Sequence, residues 1–216
     1  MSRTEKFDVA AAGWSDEQYA DTAGYLRHRA ELVLALGPPL EPGDTVLDLA
    51  CGDAGLAEPL LASGLGYVGV DLSGPMVAAA RRRVGARAEI HEGDLNDFAP
   101  AGPVQATTCF RALYYARDRR DLFRRAASYT EKKLVFDLNP RQYRVADVRA
   151  ELAAAGLTRL ELRPFFSPQR VALPRPLTAA LHAAERAGPL ALLALRFRFS
   201  YLCSASRVAR RGDVRA

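Results

Sequence analysis

Cysteine and histidine are scarce in this chain of 216 residues, which limits the chemistry it can carry. The cysteines are odd in number and far apart, so the sequence predicts neither a disulfide framework nor a zinc cluster. The histidines are equally dispersed, and we therefore expect no metal site. These residues are Cys51, Cys109 and Cys203, and His28, His91 and His182.

Long hydrophobic runs are also absent. No stretch approaches the roughly 20 apolar residues that span a membrane. The first residues, Met1 to Lys6, lack the apolar centre of a secretory signal. We therefore expect a cytoplasmic protein, with membrane contact left open for one apolar run, residues 190–195.

Positive charge is present but is not gathered into a nucleic-acid footprint. The formal net charge is +5, and the tail 207–216 supplies three of these charges, with four arginines against one aspartate. Nucleic-acid binding would need basic clusters elsewhere in the chain. We therefore expect no nucleic-acid partner.

The apolar pattern predicts an α/β domain. The length suits one sizeable core and is too short for two ordinary domains. After Thr45, short apolar runs alternate with amphipathic stretches, as in βαβ units around a parallel sheet. Helical spacing over 14–36, with Ser15 as N-cap and Gly37 at the stop, predicts one or two leading helices. The predicted parallel strands are 45–49, 67–70, 88–91, 104–109 and 134–138, and the predicted helices are 56–62, 75–84, 119–129 and 145–155.

Beyond Gly156 the apolar period becomes two, around 160–162 and 197–203, which predicts an antiparallel pair of strands. The segment 173–195 between them is too long for a hairpin and is predicted to be a helical insertion. Four roles stay open for its apolar run, residues 190–195: it packs on the sheet, forms a dimer interface, contacts a membrane or covers a ligand pocket.

The fold class is therefore α/β: a Rossmann-like, seven-stranded, mostly parallel sheet with helices on both faces and an antiparallel C-terminal strand. The single domain divides into a helical lid (1–43), a ligand-binding core (44–140), a C-terminal half with the insertion (141–206) and a basic tail (207–216).

A carboxylate and a turn of small residues end the first predicted strand. The sequence 46–55 reads Val-Leu-Asp-Leu-Ala-Cys-Gly-Asp-Ala-Gly. Ligands bind at this edge of an open α/β sheet, and small residues let the backbone approach them closely. Ala50, Gly52 and Gly55 fit a dinucleotide fingerprint loosely. Asp48 would repel a pyrophosphate but favours a cationic ligand.

Two further strand ends carry acidic residues. Asp71 ends the second strand, where a carboxylate can accept hydrogen bonds from both hydroxyls of a ribose. The sequence Gly93-Asp94-Leu95 follows the third strand, where a carboxylate and a backbone amide suit adenine. Three strand ends thus offer contacts to three parts of one ligand.

Each acidic residue also has a structural alternative. Asp48 could cap the next helix, Asp71 could be the N-cap of the helix that starts near Pro75, and Asp94 could be a turn residue. Cys51 is expected to be a small packing residue.

Together these motifs resemble those of the class I S-adenosylmethionine-dependent methyltransferases, over roughly residues 44–140. The resemblance implies that the turn after the first strand holds the methionine part of S-adenosylmethionine. It also implies that Asp71 binds the ribose, with Leu72 on the adenine. Two residues depart from the family pattern, since Ala50 and Ala54 stand where glycine is usual. The implied cofactor residues are Asp48, Ala50, Gly52, Gly55, Asp71, Leu72, Asp94, Leu95 and Arg111.

The segment after the fourth strand faces the transferred methyl group in the resembled family. It lacks the Asn/Asp-Pro-Pro-aromatic motif typical of enzymes that methylate amines of bases or glutamine, and Asn139-Pro140 is expected to be a turn. Arg111 is a candidate for the methionine carboxylate or an acidic acceptor, with a structural role as the alternative. Tyr114 and Tyr115 are candidates for the acceptor pocket, with packing as the alternative.

Tyr19 and Tyr25 lie on the leading helices and are candidates for a lid over the cofactor, again with packing as the alternative. No His-Asp pair or other base is recognisable, so we assign no catalytic base. Positioning of the reactants alone can supply up to ~7 to 11 kcal/mol of the acceleration.

The resemblance implies in-line transfer of a methyl group to an acceptor, with S-adenosylhomocysteine as the product. We expect this acceptor to be a small molecule, which is apolar if residues 190–195 cover the pocket, and we expect the protein to be a monomer or homodimer. Two alternatives stay open. The two alanines favour a module that binds the cofactor without transferring its methyl group. The loose glycine pattern favours a nicotinamide-dependent oxidoreductase, which Asp48 opposes.

Overall fold

Strands and helices alternate along the chain over residues 14–188 and 200–207, which the computed structural model describes. The strands are β1 (Thr45–Leu49), β2 (Gly66–Asp71), β3 (Glu89–Glu92), β4 (Val104–Cys109), β5 (Thr130–Leu138), β6 (Arg159–Phe165) and β7 (Ser200–Ser206). The helices are α1 (Trp14–Gln18), α2 (Thr22–Ala35), α3 (Ala57–Leu61), α4 (Gly74–Val84), α5 (Arg119–Tyr129), α6 (Val145–Ala154) and α7 (Arg175–Ala184).

The strands form one seven-stranded sheet in the order β3-β2-β1-β4-β5-β7-β6. Strands β1 to β5 pair in parallel, and β7 runs antiparallel to both β5 and β6. The predicted fold class, with its antiparallel C-terminal strand, is therefore confirmed.

Successive residues of each strand face opposite sides of the sheet, which gives the sheet a core on each face. Val46 of β1 belongs to a cluster that includes residues of α2, α3 and α4. Its neighbour Leu47 belongs to the other cluster, which includes residues of α5 and α6. The predicted helices on both faces are thus present.

Most predicted boundaries lie close to the observed ones, and β1, β4 and α5 match. Strand β5 begins at Thr130 rather than at Leu134, because its polar start hides the strand pattern. The predicted N-cap role of Ser15 is wrong. Ser15 lies inside α1, and Asp21 caps α2 by accepting a hydrogen bond from the Gly24 amide.

The predicted helical insertion contains α7. Its apolar run, residues 190–195, lies outside the described residues, as do residues 1–13 of the predicted lid, the strand start 197–199 and tail residues 208–216. Within the described ranges, no helix has both the length and the apolarity needed to cross a bilayer.

The C-terminal end of α2 is fixed against the sheet by a buried cation and a glycine. The Lys133 ammonium of β5 donates hydrogen bonds to the carbonyl oxygens of Leu34 and Leu36, at 3.3 and 2.7 Å. Burial lowers the pKa of Lys133 to about 8. Gly37 then turns the chain with a φ of 71°. These contacts decide where α2 lies relative to the strand ends.

We predict that Gly37→Ala lowers the free energy of unfolding by about 2 kcal/mol or more. Alanine is strained at this φ, and its Cβ would lie 2.3 Å from the Ser204 Oγ of β7. Gly102→Ala is the matched control, because no atom lies within 4 Å of its Cβ position. The control should change stability by less than about 1 kcal/mol. Urea unfolding measures both, and equal effects would contradict this account of Gly37.

Candidate functional site

The sheet forms a cleft where its strand order reverses. β1 lies between β2 and β4, so successive strands are added on opposite sides of it. Ligands of open α/β sheets bind at such a point. The cleft encloses about 1310 Å³ together with its open mouth. Every residue that the sequence nominated for a cofactor lines it: Asp48, Ala50, Gly52, Gly55, Asp71, Leu72, Asp94, Leu95 and Arg111.

The turn after β1 has a strained backbone. Ala50 and Gly52 both have a φ of 58°, and Ala54 has a φ of 56°. This left-handed conformation favours glycine. The Cys51 amide donates to the carbonyl of Val70 at 2.9 Å and so holds the turn against β2. The two alanines therefore add backbone strain as well as a methyl group each.

Gly55 lacks a side chain at a point where side chains of α1 and α2 approach the β1 turn closely. A Cβ at this position would lie 2.7 Å from the Ser15 Oγ and 2.8 Å from the Leu26 Cδ1. Ser15 also donates from its backbone amide and its hydroxyl to the Asp53 carboxylate. The small residue at position 55 is thus explained by helix packing beside the cleft.

Asp71 ties the end of β2 to the strained turn. Its Oδ2 accepts from the Gly52 amide at 2.8 Å, and its Oδ1 accepts from the Ser73 amide at 3.0 Å. Burial raises the pKa of the Asp71 carboxyl, and these backbone donors oppose the shift. The N-cap alternative for Asp71 is wrong, because the Ser73 hydroxyl caps α4 by accepting from the Met76 amide.

Asp48 is a buried carboxylate, and its side chain caps no helix. Its Oδ2 accepts from the Tyr67 hydroxyl at 2.7 Å, and its Oδ1 accepts from the Thr108 hydroxyl at 2.6 Å. Burial raises the pKa of Asp48 to about 6, although these hydroxyls and the nearby Arg29 lower it. The cleft therefore contains a carboxyl group that titrates close to neutrality.

Asp94 lines the cleft and is also a turn residue. Its Oδ1 accepts from the Asn96 amide at 2.8 Å, and its Oδ2 accepts from the Arg117 guanidinium at 2.9 Å. Burial alone would raise the pKa of Asp94, but these donors outweigh burial and lower it. Its neighbour Leu95 is buried, whereas Leu72 across the cleft is 43% exposed and offers an apolar surface.

Arg111 enters the cleft from the end of β4 with a φ of 52°. Its amide donates to the Asp137 carboxylate at 2.7 Å, and its guanidinium donates to the Tyr19 hydroxyl at 3.3 Å. Among the described non-glycine residues, positive φ values occur at Arg111 and at the two alanines of the β1 turn. Backbone strain in the described chain is thus concentrated at this site.

The lid candidates lie in two layers. Tyr19 lines the cleft, and Tyr25 stacks behind it with ring centroids 4.1 Å apart. Arg29 of α2 also lines the cleft, is 4% exposed, and donates to the Tyr25 hydroxyl at 2.8 Å. Its guanidinium lies 4.5 Å from the centre of the Phe110 ring. Arg29 was not predicted as a site residue from the sequence, although a charged residue among apolar helix positions is a signal for one.

The segment after β4 gives the cleft an aromatic part. Phe110, Tyr114 and Tyr115 line it, and Tyr114 is 53% exposed. The two tyrosine rings have centroids 4.3 Å apart. The other lining residues that the sequence did not nominate include Trp14, Gln18, Met76 and Asn96. Asn139, in contrast, accepts from the Arg141 amide in a turn, as expected.

Comparison with known proteins supports the motif assignment. The family model for a methyltransferase domain matches residues 46–133. An uncharacterized methyltransferase of Geobacillus thermodenitrificans strain NG80-2 is 31% identical over 116 residues. That match spans 53% of this chain and 51% of the relative, so it covers about half the length of each.

Two solved structures share the fold. One belongs to the complex between the Haloferax volcanii Trm112 methyltransferase activator and a methyltransferase, with a TM-score of 0.65 and 20% identity over 96% of this chain and 100% of that chain. The other is magnesium protoporphyrin IX methyltransferase from Synechocystis PCC 6803 with bound S-adenosylmethionine, with a TM-score of 0.56 and 19% identity over 96% and 85%.

At these identities the solved structures show the fold, and the family match covers the segment that holds the strand-end motifs. The chain therefore shares the fold of these two methyltransferases, and its residues 46–133 match the family model for a methyltransferase domain.

Proposed function

We propose that this chain binds S-adenosylmethionine in the cleft and transfers its methyl group to a small-molecule acceptor. One observation carries the proposal: the residues nominated from separate strand-end motifs all line one cleft at the strand-order reversal. The family match supports the same activity. The Synechocystis enzyme, which shares the fold, has S-adenosylmethionine bound.

The donors and acceptors of the cleft suit this cofactor. An ionised Asp48 favours the ammonium and sulfonium charges. The Asp71 carboxylate accepts hydrogen bonds from the backbone amides of Gly52 and Ser73 and would also accept hydrogen bonds from the ribose hydroxyls. Leu72 offers its exposed side chain to adenine, and Asp94 with Leu95 offers a carboxylate and a backbone amide. The turn with Ala50, Gly52 and Gly55 would lie against the methionine part.

Two arginines also give the cleft positive charge. Arg29 and Arg111 both line the cleft. Arg29 has an ion pair with Asp137 at 3.9 Å, which is long for a buried guanidinium. Its Nε is buried and has no hydrogen-bond partner within the described part of the chain. We assign Arg29 and Arg111 to the binding of a carboxylate, either that of the methionine part or that of an acidic acceptor.

Bound in the cleft, S-adenosylmethionine supplies an electrophilic methyl group for in-line displacement. The chain contributes position and exclusion of water, because Tyr19, Leu26 and Phe110 enclose the cleft beside the strand ends. Partial burial and a hydrogen bond with Tyr115 raise the pKa of Tyr114, so its hydroxyl stays protonated at neutral pH and can orient an acceptor through its oxygen. We assign no general base.

A small molecule with apolar surface fits the aromatic part of the cleft. A protein partner is the alternative suggested by the Haloferax neighbour, whose structure is a complex with an activator protein. Calorimetry with the purified chain tests the cofactor site first, because every residue assigned to the cofactor belongs to this chain. Tight binding of a nicotinamide dinucleotide, without binding of S-adenosylmethionine, would overturn the proposal.

We predict that Asp71→Ala weakens binding of S-adenosylhomocysteine by about 2 to 3 kcal/mol, since it removes hydrogen bonds to a charged acceptor. Asp71→Asn should fall between this variant and the parent, because it keeps one acceptor oxygen. Asp121→Ala on α5 is the control, since Asp121 pairs with Arg124 and Arg125 away from the cleft. Unchanged affinity in a folded Asp71→Ala protein would refute this role for Asp71.

We predict that affinity for S-adenosylmethionine rises as the pH increases from about 5 to 7. The Asp48 carboxyl has a pKa near 6 without ligand, and a cationic ligand favours its ionised form, so binding at low pH must expel a proton. For the free protein the sign is opposite. The raised pKa of Asp48 stabilises the folded protein at pH values below the pKa that this carboxyl has in the unfolded chain. This stabilisation is lost as the pH rises through about 6.

Asp48→Asn should flatten both pH profiles, measured by calorimetry for binding and by thermal melting for stability. A parent profile that is flat over this range, or an Asn variant that keeps the full slope, would show that another group controls cofactor binding.

We predict that Tyr114→Ala lowers kcat/KM for the acceptor at least tenfold and leaves the Kd of the cofactor within about twofold, since Tyr114 is exposed and belongs to the aromatic part of the cleft. Acceptors are found by mass shifts in extracts incubated with labelled S-adenosylmethionine. Tyr143→Ala is the control, because Tyr143 packs on Arg119. Equal losses of kcat/KM in the Tyr114→Ala and Tyr143→Ala proteins would show that Tyr114 does not belong to the acceptor pocket. Methyl transfer to any acceptor would exclude a binding-only module.

A further inference from the structure

Two of the three histidines meet a buried glutamate where α7 packs on α2. His28 is 6% exposed and Glu185 is 3% exposed. The His28 Nε2 lies 2.8 Å from the Glu185 Oε2, although the two residues are 157 positions apart. His182 is partly exposed, and its ring stacks on that of His28 with centroids 3.4 Å apart. One ligand atom from each residue falls within 4.8 Å of the others.

Each of these side chains also has an outer partner. The His28 Nδ1 lies 3.3 Å from the Glu31 carboxylate. The Glu185 Oε1 accepts from the Phe166 amide at 2.7 Å, and the Ser167 hydroxyl lies 3.0 Å from the His182 Nε2. Metal-binding histidines and carboxylates usually have such partners, which fix the ring tautomer and the orientation of the ligand atom.

We propose that His28, His182 and Glu185 form a binding site for one divalent cation of the zinc class, which fastens α7 to α2. Two imidazoles and one carboxylate are a ligand set that zinc accepts, with water in the fourth position. Ligand atoms of a tetrahedral zinc site lie about 3.3 Å apart, given bond lengths near 2 Å. In the cluster, the His28 Nε2 and the Glu185 Oε2 are 2.8 Å apart, and no pair of ligand atoms is more than 4.8 Å apart, so small side-chain movements suffice to hold one ion.

A bound ion requires a small movement of one ring. The planes of the two imidazoles are only 6° apart, and a cation bound in the plane of one stacked ring lies outside the plane of the other. The His182 ring is the more exposed of the two and can turn about its side-chain bonds, with Nδ1 available as the ligand. The same exposure gives the ion a path from solvent.

The cation site lies outside the cleft and is independent of methyl transfer. None of its residues lines the cleft. It nevertheless affects the position of α2, whose Leu26 and Arg29 flank His28 in sequence and do line the cleft. An ion here would stabilise the insertion and hold the wall of the cleft, and it would take no part in the reaction.

The test uses the tag-free full chain, freed of metal by chelation and then titrated with Co²⁺ and Zn²⁺. We predict one equivalent of bound Co²⁺ with visible d–d absorption. A near-ultraviolet thiolate band should be absent, which distinguishes the site from binding by cysteine. Stoichiometric Zn²⁺ should raise the melting temperature.

His182→Ala and Glu185→Gln should each weaken Co²⁺ binding at least tenfold, and His182→Ala should remove the Zn²⁺ stabilisation. His91→Ala is the matched control, because His91 lies on β3 away from the cluster, and it should bind like the parent. His182 is partly exposed, so its truncation should leave the chain folded. A parent that binds no Co²⁺, or a His182→Ala protein that binds it like the parent, would overturn the proposal. Neither result bears on cofactor binding.

Discussion

The Asp48 carboxylate is held out of water at the end of a central strand, and the neighbouring elements are arranged around that charge. An unpaired buried carboxylate is costly, so its oxygens need donors. The sheet register supplies them, since Thr108 of β4 is the direct strand neighbour of Asp48, and Tyr67 comes from β2 on the other side. A slip of either strand by one residue would remove a donor and turn its side chains to the other face.

Helix α2 supplies a positive charge that partly balances the Asp48 carboxylate. Arg29 is as buried as Asp48, lies among aromatic rings, and acts on the carboxyl electrostatically to lower its pKa. Since the Nε of Arg29 has no hydrogen-bond partner in the described chain, this cation is incompletely satisfied by the protein. A buried cation and a buried carboxylate facing one cleft suit a ligand that carries both signs of charge. The position of α2 is therefore as important for the site as the sheet itself.

The strand-end residues were predictable for a geometric reason. The carboxyl ends of parallel strands meet at one edge of the sheet, so the sequence positions of Asp48, Asp71 and Asp94 suffice to bring them together. Contacts made by packing of distant helices have no such rule. For this reason, neither the place of Arg29 in the cleft nor the contact between His28 and His182 was predictable from the sequence.

Local hydrogen bonding was a second source of error. Ser15 has the chemistry of an N-cap, but its hydroxyl is taken by Asp53 of the β1 turn, a partner that only the folded chain provides. Asp71 has the same chemistry, and Ser73 takes the capping role instead because it lies directly before α4. The residue type indicated a hydrogen bond in both cases, while the tertiary structure decided its partner.

The two alanines of the β1 turn change the energy of the site more than its shape. With φ values of 58° and 56° they adopt the backbone conformation that glycine favours, at a cost of roughly 1 to 2 kcal/mol each. Such strain persists only where surrounding contacts over-determine the backbone. Here the Gly52 amide is held by Asp71, and the Cys51 amide is held by β2. The turn is thus held in its strained shape by hydrogen bonds within the protein, and the energy gained on folding offsets the cost of that strain.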